Sequence, residues 1–215
     1  MTIRVFLVDD HALVRTGLRM ILSAESDIQV VGEAESGEEA LSLIRKHRPD
    51  VVLCDLHLPG ISGLEVTERL IRGRVGSRVV IVSVLEDGPL PKRLLDVGAS
   101  GYVGKGGDAR ELLNAVRDAA RGKRYLGSSI AQNIALASVG GEASPFDTLS
   151  PRELEVAMLL VQGLRQDAIA QRLNLSPKTV NTHKSRLFEK VDVDDTIALA
   201  RLAARYGLMD PVGTI

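Results

Sequence analysis

An α/β doubly wound five-stranded parallel sheet followed by a small all-α domain is the fold that this 215-residue sequence predicts. Three observations carry that prediction. Over roughly the first 120 residues, short β-branched apolar runs alternate with stretches of 3.6-residue periodicity, and such alternation produces right-handed βαβ crossovers and a parallel sheet covered on both faces. From about Thr148 onward no strand pattern recurs, and every apolar repeat is helical. Between these parts the composition shifts, with Gly, Ser, Glu and Pro crowding Gly140 to Pro145, a stretch that reads as linker.

The strands are read in chain order as IRVFLV, IQVVGEA, DVVLCD, RVVIVSV and GYVG, each short and β-branched as buried parallel strands are. Helical spacing fills the gaps. It is carried by Leu13, Leu18 and Leu22, then Ala40, Leu43 and Ile44, then Leu64, Leu70 and Ile71, and after the fifth strand by Leu112, Leu113 and Val116. One short helical pattern, Ile130, Ile134 and Leu136, precedes the linker stretch. The C-terminal part opens on Ser150-Pro151-Arg152-Glu153, a capping serine, a first-turn proline and a glutamate three residues after the cap. Leu154, Ala157, Met158 and Val161 line that helix. A second short helix, DAIAQRLNL, is closed by Asn174, and Ser176-Pro177 caps a third, KTVNTHKSRLFEK. Two helices joined by a tight turn, the second loaded with polar groups, follow the helix-turn-helix plan. The last helix, Thr196 to Tyr206, offers two apolar faces through Ile197, Leu199, Ala200, Leu202 and Ala203, one to pack the domain and one to pair two copies.

Composition narrows the classes. With 45% hydrophobic and 26% charged residues the chain can bury a core and stay in solution. The single cysteine, Cys54, excludes an intrachain disulfide framework and reads as core filler inside an apolar run. The start, MTIRVFLVDDH, reaches two acids too soon for a signal peptide, and no segment approaches the roughly 20 apolar residues of a membrane span. A cytoplasmic location is expected.

Chemistry is expected where parallel sheets place it, at the carboxyl ends of the strands. The first strand ends in Asp9-Asp10, the third in Asp55 and the fourth in Ser83, while Lys105 follows the fifth. Three converging carboxylates repel one another. A divalent cation is the usual remedy, and an all-oxygen set with few protein ligands suits Mg2+, which keeps waters and prefers a phosphate nearby. A lysine and a hydroxyl then have an anion to bind. The set describes a carboxylate nucleophile, Asp55, that accepts a phosphoryl group held by Lys105 and Ser83.

On the third C-terminal helix, a 100° wheel sends Val180, Leu187 and Val191 one way and Lys178, Asn181, Thr182, Ser185 and Glu189 the other, with Arg186 on the flank. His183 falls near the apolar side as a packed histidine, and Lys184 projects near that side with its ammonium free to reach a phosphate. Residues 178 to 190 carry Lys178, Lys184, Arg186 and Lys190 against Glu189, a net of +3. Residues 148 to 215 net only +1 and residues 1 to 147 net −2, so positive charge is focused where a groove would lie.

With these residues in view, the N-terminal part resembles the receiver domain of two-component response regulators, a flavodoxin-like fold, over residues 1–122. Residues 123–147 would be a linker with one short helix, and 148–215 resemble a LuxR-type helix-turn-helix DNA-binding domain. The whole chain is similar to the NarL/FixJ class, and LSPRELEVAMLL, SPFDTLS and NLSPKTVNTHKSRLFEK are nearest its GacA/UvrY subgroup. The resemblance implies Asp55 as phospho-acceptor, Asp10 as a direct Mg2+ ligand, Asp9 as a ligand through water, and His57 as a ligand by its backbone carbonyl. It implies Tyr102, three before Lys105, as a switching aromatic. Lys178, Thr179, Asn181, Thr182, Lys184, Ser185 and Arg186 would contact DNA. A sensor histidine kinase, double-stranded promoter DNA and a second copy of the chain are the implied partners, with promoters of small regulatory RNAs as targets. In fast-hydrolysing receivers the positions two after the acceptor and two after the switch hydroxyl orient water; here they are His57 and Leu85, which predicts a long-lived phosphoform.

Two departures from the wider class stand out. Asn181 occupies a position where most LuxR-type domains carry Lys, and because Asn can bond adenine bidentately while Lys prefers guanine, the base preference of the wider class does not carry over. Asp192 stands where most have Gly after the recognition helix. Two other readings are less favoured. A phosphatase or transferase using Asp55 for turnover would place an acid two residues on, where His57 stands, and a phosphorylation-independent module would have lost acidic residues that are all present. No enzymatic turnover is expected.

Overall fold

The computed structural model describes residues 2–84, 86, 90–139, 144–173, 175–206 and 208. They fall into two compact units, one of Met1–Glu86 with Leu94–Gln132 and one of Asp87–Arg93 with Asn133–Ile215. In chain order the first part runs β1 (Ile3–Val8), α1 (Ala12–Ser23), β2 (Ile28–Ala34), α2 (Gly37–His47), β3 (Val51–Asp55), α3 (Gly63–Arg72), β4 (Arg78–Ser83), α4 (Leu90–Val97), β5 (Gly101–Gly104), α5 (Ala109–Ala120), β6 (Tyr125–Leu126) and α6 (Ser128–Val139). All pairings are parallel, in the order β2-β1-β3-β4-β5-β6. Because β1 is flanked by β2 on one side and β3 on the other, strand order reverses there and a crevice opens at the carboxyl ends of β1 and β3. One face of the sheet packs Val5, Leu7, Leu53, Val80 and Val82 against Leu22, Leu112 and Val116.

The sheet carries one strand more than the five expected. Tyr125–Leu126, which fell in the expected linker, pairs with Gly101 and Tyr102 of β5, and two residues are too few for strand alternation to register in a sequence. A helix before β5, α4, likewise had no separate reading. Helical spacing did not always mean burial, since Leu13 is 88% exposed and Leu136 and Ile71 also face solvent. On α1 an arginine, Arg15, is buried instead. Of the expected linker, residues 140–143 lie outside the described residues, as do Leu85 and Asn174; Pro145–Thr148 is a 3-10 turn capped by Ser144 with Phe146 buried beneath it.

The second unit contains α7 (Pro151–Val161), α8 (Gln166–Arg172), α9 (Pro177–Val191) and α10 (Thr196–Arg205). Ser150 and Glu153 form the expected capping box, and Ser176 accepts from the Thr179 N–H to start α9. Leu154, Ala157, Met158 and Val161 are buried together with Val156, Leu159 and Leu160. α9 packs against α7 and α8 through Val180, Leu187 and Val191. It ends at Asp192 in the left-handed conformation (φ 55°, ψ 57°), whose N–H donates to the Phe188 carbonyl, so an aspartate fills a role that glycine takes at less cost.

Glu153 ties this unit together, capping α7 while accepting from Lys190 Nζ at 2.7 Å near the end of α9. Burial opposes its ionisation, but Lys190 and Ser150 outweigh burial and hold the carboxyl below its ordinary value. Its contribution is therefore complete above the ordinary carboxylate range and is lost as pH falls through the lowered value. Glu153→Gln should cost about 1–2 kcal/mol near neutral pH and flatten the acid limb of stability, read by urea denaturation across pH. An unchanged acid limb would contradict this role.

Candidate functional site

Asp9 directly follows β1 and Asp55 ends β3, and because those strands are neighbours with Val8 opposite Cys54, the two acids stand side by side. Both are buried, Asp9 at 1% exposure and Asp55 at 4%. Lys105, directly after β5, reaches between them, its Nζ 2.7 Å from Asp9 Oδ2 and 2.9 Å from Asp55 Oδ2. Burial pushes the Asp55 carboxyl up and Asp9 adds to that, while Lys105 and the His57 backbone N–H pull it back; the net direction is up. For Lys105, burial pulls the ammonium down, but its bonds to the two carboxylates prevail and raise it. The Lys105 backbone N–H donates to the Ser83 carbonyl at 2.8 Å, which fixes the chain after β5 to the tip of β4.

Ser83 is fully buried and hydrogen-bonded to the Tyr102 hydroxyl, and burial pushes the Tyr102 phenol far up, so it stays neutral. Asp10 is half-buried at the rim, with its Oδ1 2.8 Å from His11 Nδ1. Asp9, Asp10, His11 and Asp55 place one potential ligand atom each within 4.8 Å of one another. The structure therefore brings together Asp9, Asp10, Asp55, Ser83, Lys105 and Tyr102, and places the His57 backbone at Asp55 by its N–H. Cys54 plays no part in this chemistry, since burial drives its thiol far up and its Sγ donates to the Asp55 carbonyl.

Two residues of this pocket escaped sequence reasoning. His11, visible only as the residue after the acid pair, also donates its backbone N–H to Asp9 Oδ1 at 2.8 Å. Arg15, four residues further on, donates from one terminal nitrogen to the Asp9 carbonyl at 2.7 Å and pairs through the other with Glu35. Its spacing from the acids resembles that of any surface arginine, so nothing local marks it as buried.

The second candidate surface is α9. Lys178, Asn181, Thr182, Ser185 and Arg186 are exposed and Thr179 and Lys184 half-exposed, which leaves the seven expected DNA-contacting residues accessible. The Thr182 hydroxyl donates to the Lys178 carbonyl and that of Thr179 bonds Ser176, so both are engaged within the helix. Lys184 Nζ sits 5.2 Å from the Phe188 ring centroid. His183 is half-buried with its Nδ1 lacking a hydrogen-bond partner, and burial lowers its pKa.

Known proteins carry the same combination. Residues 5–117 match the response regulator receiver domain, and residues 147–203 match the bacterial regulatory proteins of the luxR family. The chain is 47% identical over 210 residues to the response regulator GacA of Pseudomonas viridiflava, covering 97% of this chain and 98% of the relative. It is 42% identical over 208 residues to the response regulator UvrY of Escherichia coli K12, covering 96% and 95%. Among solved structures, RcsB from Salmonella enterica serovar Typhimurium, bound to promoter rprA in the presence of the phosphomimetic BeF3−, matches with a TM-score of 0.73 and 26% identity over 95% of this chain and 99% of that one. The response regulator ChrA of a heme-sensing two-component system matches at a TM-score of 0.55 and 34% identity, over 97% and 99%.

By fixing the Asp9 carbonyl, Arg15 sets the backbone from which both rim acids project. Arg15→Met should weaken divalent-cation affinity at the acidic cluster by about tenfold. Calorimetric titration tests this, and Arg15→Lys should recover only part of the loss because one ammonium cannot span both partners. Wild-type affinity in Arg15→Met would remove it from the site.

Proposed function

The chain belongs to the response regulators that join a receiver domain to a LuxR-type DNA-binding domain, a family of phosphorylation-gated regulators of transcription, and on that premise we propose that Asp55 accepts a phosphoryl group from a sensor histidine kinase and thereby gates promoter binding by α9. The observation that carries the assignment is the bridge from Lys105 to Asp9 and Asp55. An ionised carboxylate oxygen of Asp55 attacks phosphorus, the O–P bond forms as the N–P bond of the kinase phosphohistidine breaks, and the leaving imidazole keeps the electron pair. Lys105 then turns from carboxylate partner to phosphoryl partner, and Ser83 supplies a hydroxyl to another phosphoryl oxygen. Turnover forms no part of this reading, because His57 stands where a hydrolase of the Asp-x-Asp type carries its general acid.

Asp9, Asp10 and Asp55, with the His57 carbonyl, are the groups that would hold Mg2+. The donor set fits: opposite oxygens around an octahedral Mg2+ lie about 4.2 Å apart, close to the 4.8 Å within which this cluster falls. Bound there, the ion would supply neutralisation of charge on the phosphoryl oxygens. His11 adds a nitrogen on the rim that suits a hydrogen bond to a coordinated water better than direct ligation of so hard a cation.

We assign the exposed polar face of α9 to the major groove, with Asn181 placed for a bidentate bond to adenine. A homodimer is the active form in this reading, supported by Ile197 of α10, an isoleucine left 67% exposed opposite buried Leu199 and Ala203. Among the described residues no helix is long and apolar enough to cross a membrane, and we place the protein in the cytoplasm with its promoter.

Asp55→Asn should abolish phosphoryl uptake from acetyl phosphate, because an amide is no nucleophile; undiminished labelling would move the site elsewhere. On DNA, Asn181→Ala should relax sequence preference by about 1–3 kcal/mol, measured against single-base operator variants. Lys184→Ala should instead weaken all sequences alike and lower the salt dependence. Equal loss on specific and random duplex from both changes would remove this division of labour.

A further inference from the structure

The start of α6 is held by four hydrogen bonds to three residues. The Gly127 N–H donates to the Tyr102 carbonyl at 2.9 Å. Ser128 donates its backbone N–H at 2.9 Å, and its hydroxyl as well, to one carboxylate oxygen of Glu111 on α5. Ser129 donates its hydroxyl to Glu86. Glu86 lies three residues beyond Ser83, on the loop leaving β4, and its carboxylate rests over the end of β5. A Cβ at Gly104 would lie 1.8 Å from Glu86 Oε1, so only glycine leaves that place open.

The acceptor and α6 are related partly by bonds and partly by charge. Ser83 bonds the Tyr102 hydroxyl, and that hydroxyl feels the charge of Asp55 and of Glu86 together. Glu86 in turn holds Ser129. The chain leaves the first compact unit at two places, after Glu86 and after Gln132, so the bonded pair stands close to both exits.

We propose that the Glu86–Ser129 hydrogen bond is a latch that keeps the first turn of α6 on the receiver while Asp55 is unmodified, and that phosphorylation opens it. The inference rests on the reading of Asp55 as acceptor. Two forces act in the opening direction. A phosphoryl group on Asp55 brings oxygens that compete with Tyr102 for the Ser83 hydroxyl, and drawing Ser83 towards Asp55 pulls on the loop that carries Glu86. The same group adds close to two negative charges beside a hydroxyl that already feels the Glu86 carboxylate, and like charges repel. Tyr102 and Glu111 keep their own holds on Gly127 and Ser128, so opening frees the helix start partly rather than detaching it. One hydrogen bond between exposed groups is weak, and the switch it gives is graded, about two- to tenfold in the population of the freed state.

The test uses the full chain with and without Mg2+ and beryllofluoride, a phosphoryl mimic. Hydrogen exchange reports the amides of the first turn of α6, and fluorescence anisotropy reports affinity for a duplex selected from a random-sequence pool by the beryllofluoride form. Glu86→Ala and Ser129→Ala each remove one latch partner. Gly104→Ala displaces the Glu86 carboxylate by a methyl group while leaving both partner residues in place in the sequence, and the atom it meets is the end of a flexible side chain that can swing away. Without beryllofluoride all three should exchange α6 amides faster and bind the duplex about two- to tenfold more tightly than wild type; with it, all four proteins should converge. Variants that keep wild-type exchange and affinity, or that bind more weakly in both states, overturn the latch and leave Glu86 a scaffold residue. A wild type whose affinity ignores beryllofluoride overturns the gated reading itself, and the latch with it.

Discussion

Two buried carboxylates can share a pocket at neighbouring strand tips only because one ammonium stands between them. Without Lys105, Asp9 and Asp55 would face the full cost of desolvation and of each other, and one would hold a proton. With it, the rise that burial imposes on the Asp55 carboxyl is opposed by an ammonium whose own pKa the two carboxylates raise. That arrangement dictates much of the structure nearby. The loop after β3 must turn back tightly to keep Asp55 enclosed, and at Gly63 the chain passes so close that a Cβ would lie 2.0 Å from the Asp55 carbonyl oxygen. Arg15 anchors the opposite strand tip by the Asp9 carbonyl, so each acid is fixed through its backbone as well as its side chain.

The same bridge makes the pocket responsive. Lys105 is tied by its backbone to Ser83 and by its side chain to both acids, so a change of charge at Asp55 is felt at the tips of β1, β4 and β5 together. Ser83 and Tyr102 are packed without room for independent movement, since both are fully buried. In a close-packed interior such pairs switch between discrete arrangements instead of deforming smoothly. Tyr102 is also the residue whose carbonyl holds Gly127, which places the aromatic, the sixth strand and the start of α6 in one hydrogen-bonded series.

How much of this was legible in the sequence depended on whether the information was local. Strands β1 to β5 were readable to within a residue, the interior strands β1, β3 and β4 because parallel strands buried on both faces are near-continuous apolar runs, and the acids and lysine stood out as polar residues at or directly after the strand ends. Caps at Ser150 and Ser176 were readable because capping is a contact between near neighbours. Arg15 and β6 were not, for their roles are set by partners elsewhere in the fold, Glu35 in the turn after β2 and strand β5 two dozen residues upstream, and His11 was not because its bonds to the adjacent acids depend on how the chain turns after β1. Glu86 and Ser129 are 43 positions apart, and no periodicity joins them. Leu13 shows the converse, because a helical repeat registers an apolar residue without saying whether anything covers it.

The recognition helix shows how little of an exposed surface remains able to discriminate. Thr182 spends its hydroxyl proton inside the helix on the Lys178 carbonyl and in that state can only accept from a partner, while the Thr179 hydroxyl shares a hydrogen bond with that of Ser176. Lys184 is drawn towards the Phe188 ring, which suits a cation that meets phosphate at the edge of the groove better than one that reads a base. Asn181 alone on this face combines two donors and an acceptor on a rigid amide at the exposed surface, the combination that a bidentate contact requires. Replacing the usual lysine by asparagine here therefore does more than remove a charge. In the proposed docking it would transfer a position from the electrostatic part of the interface to the part that reads sequence, and would leave Lys178, Lys184 and Arg186 to supply attraction that is blind to it.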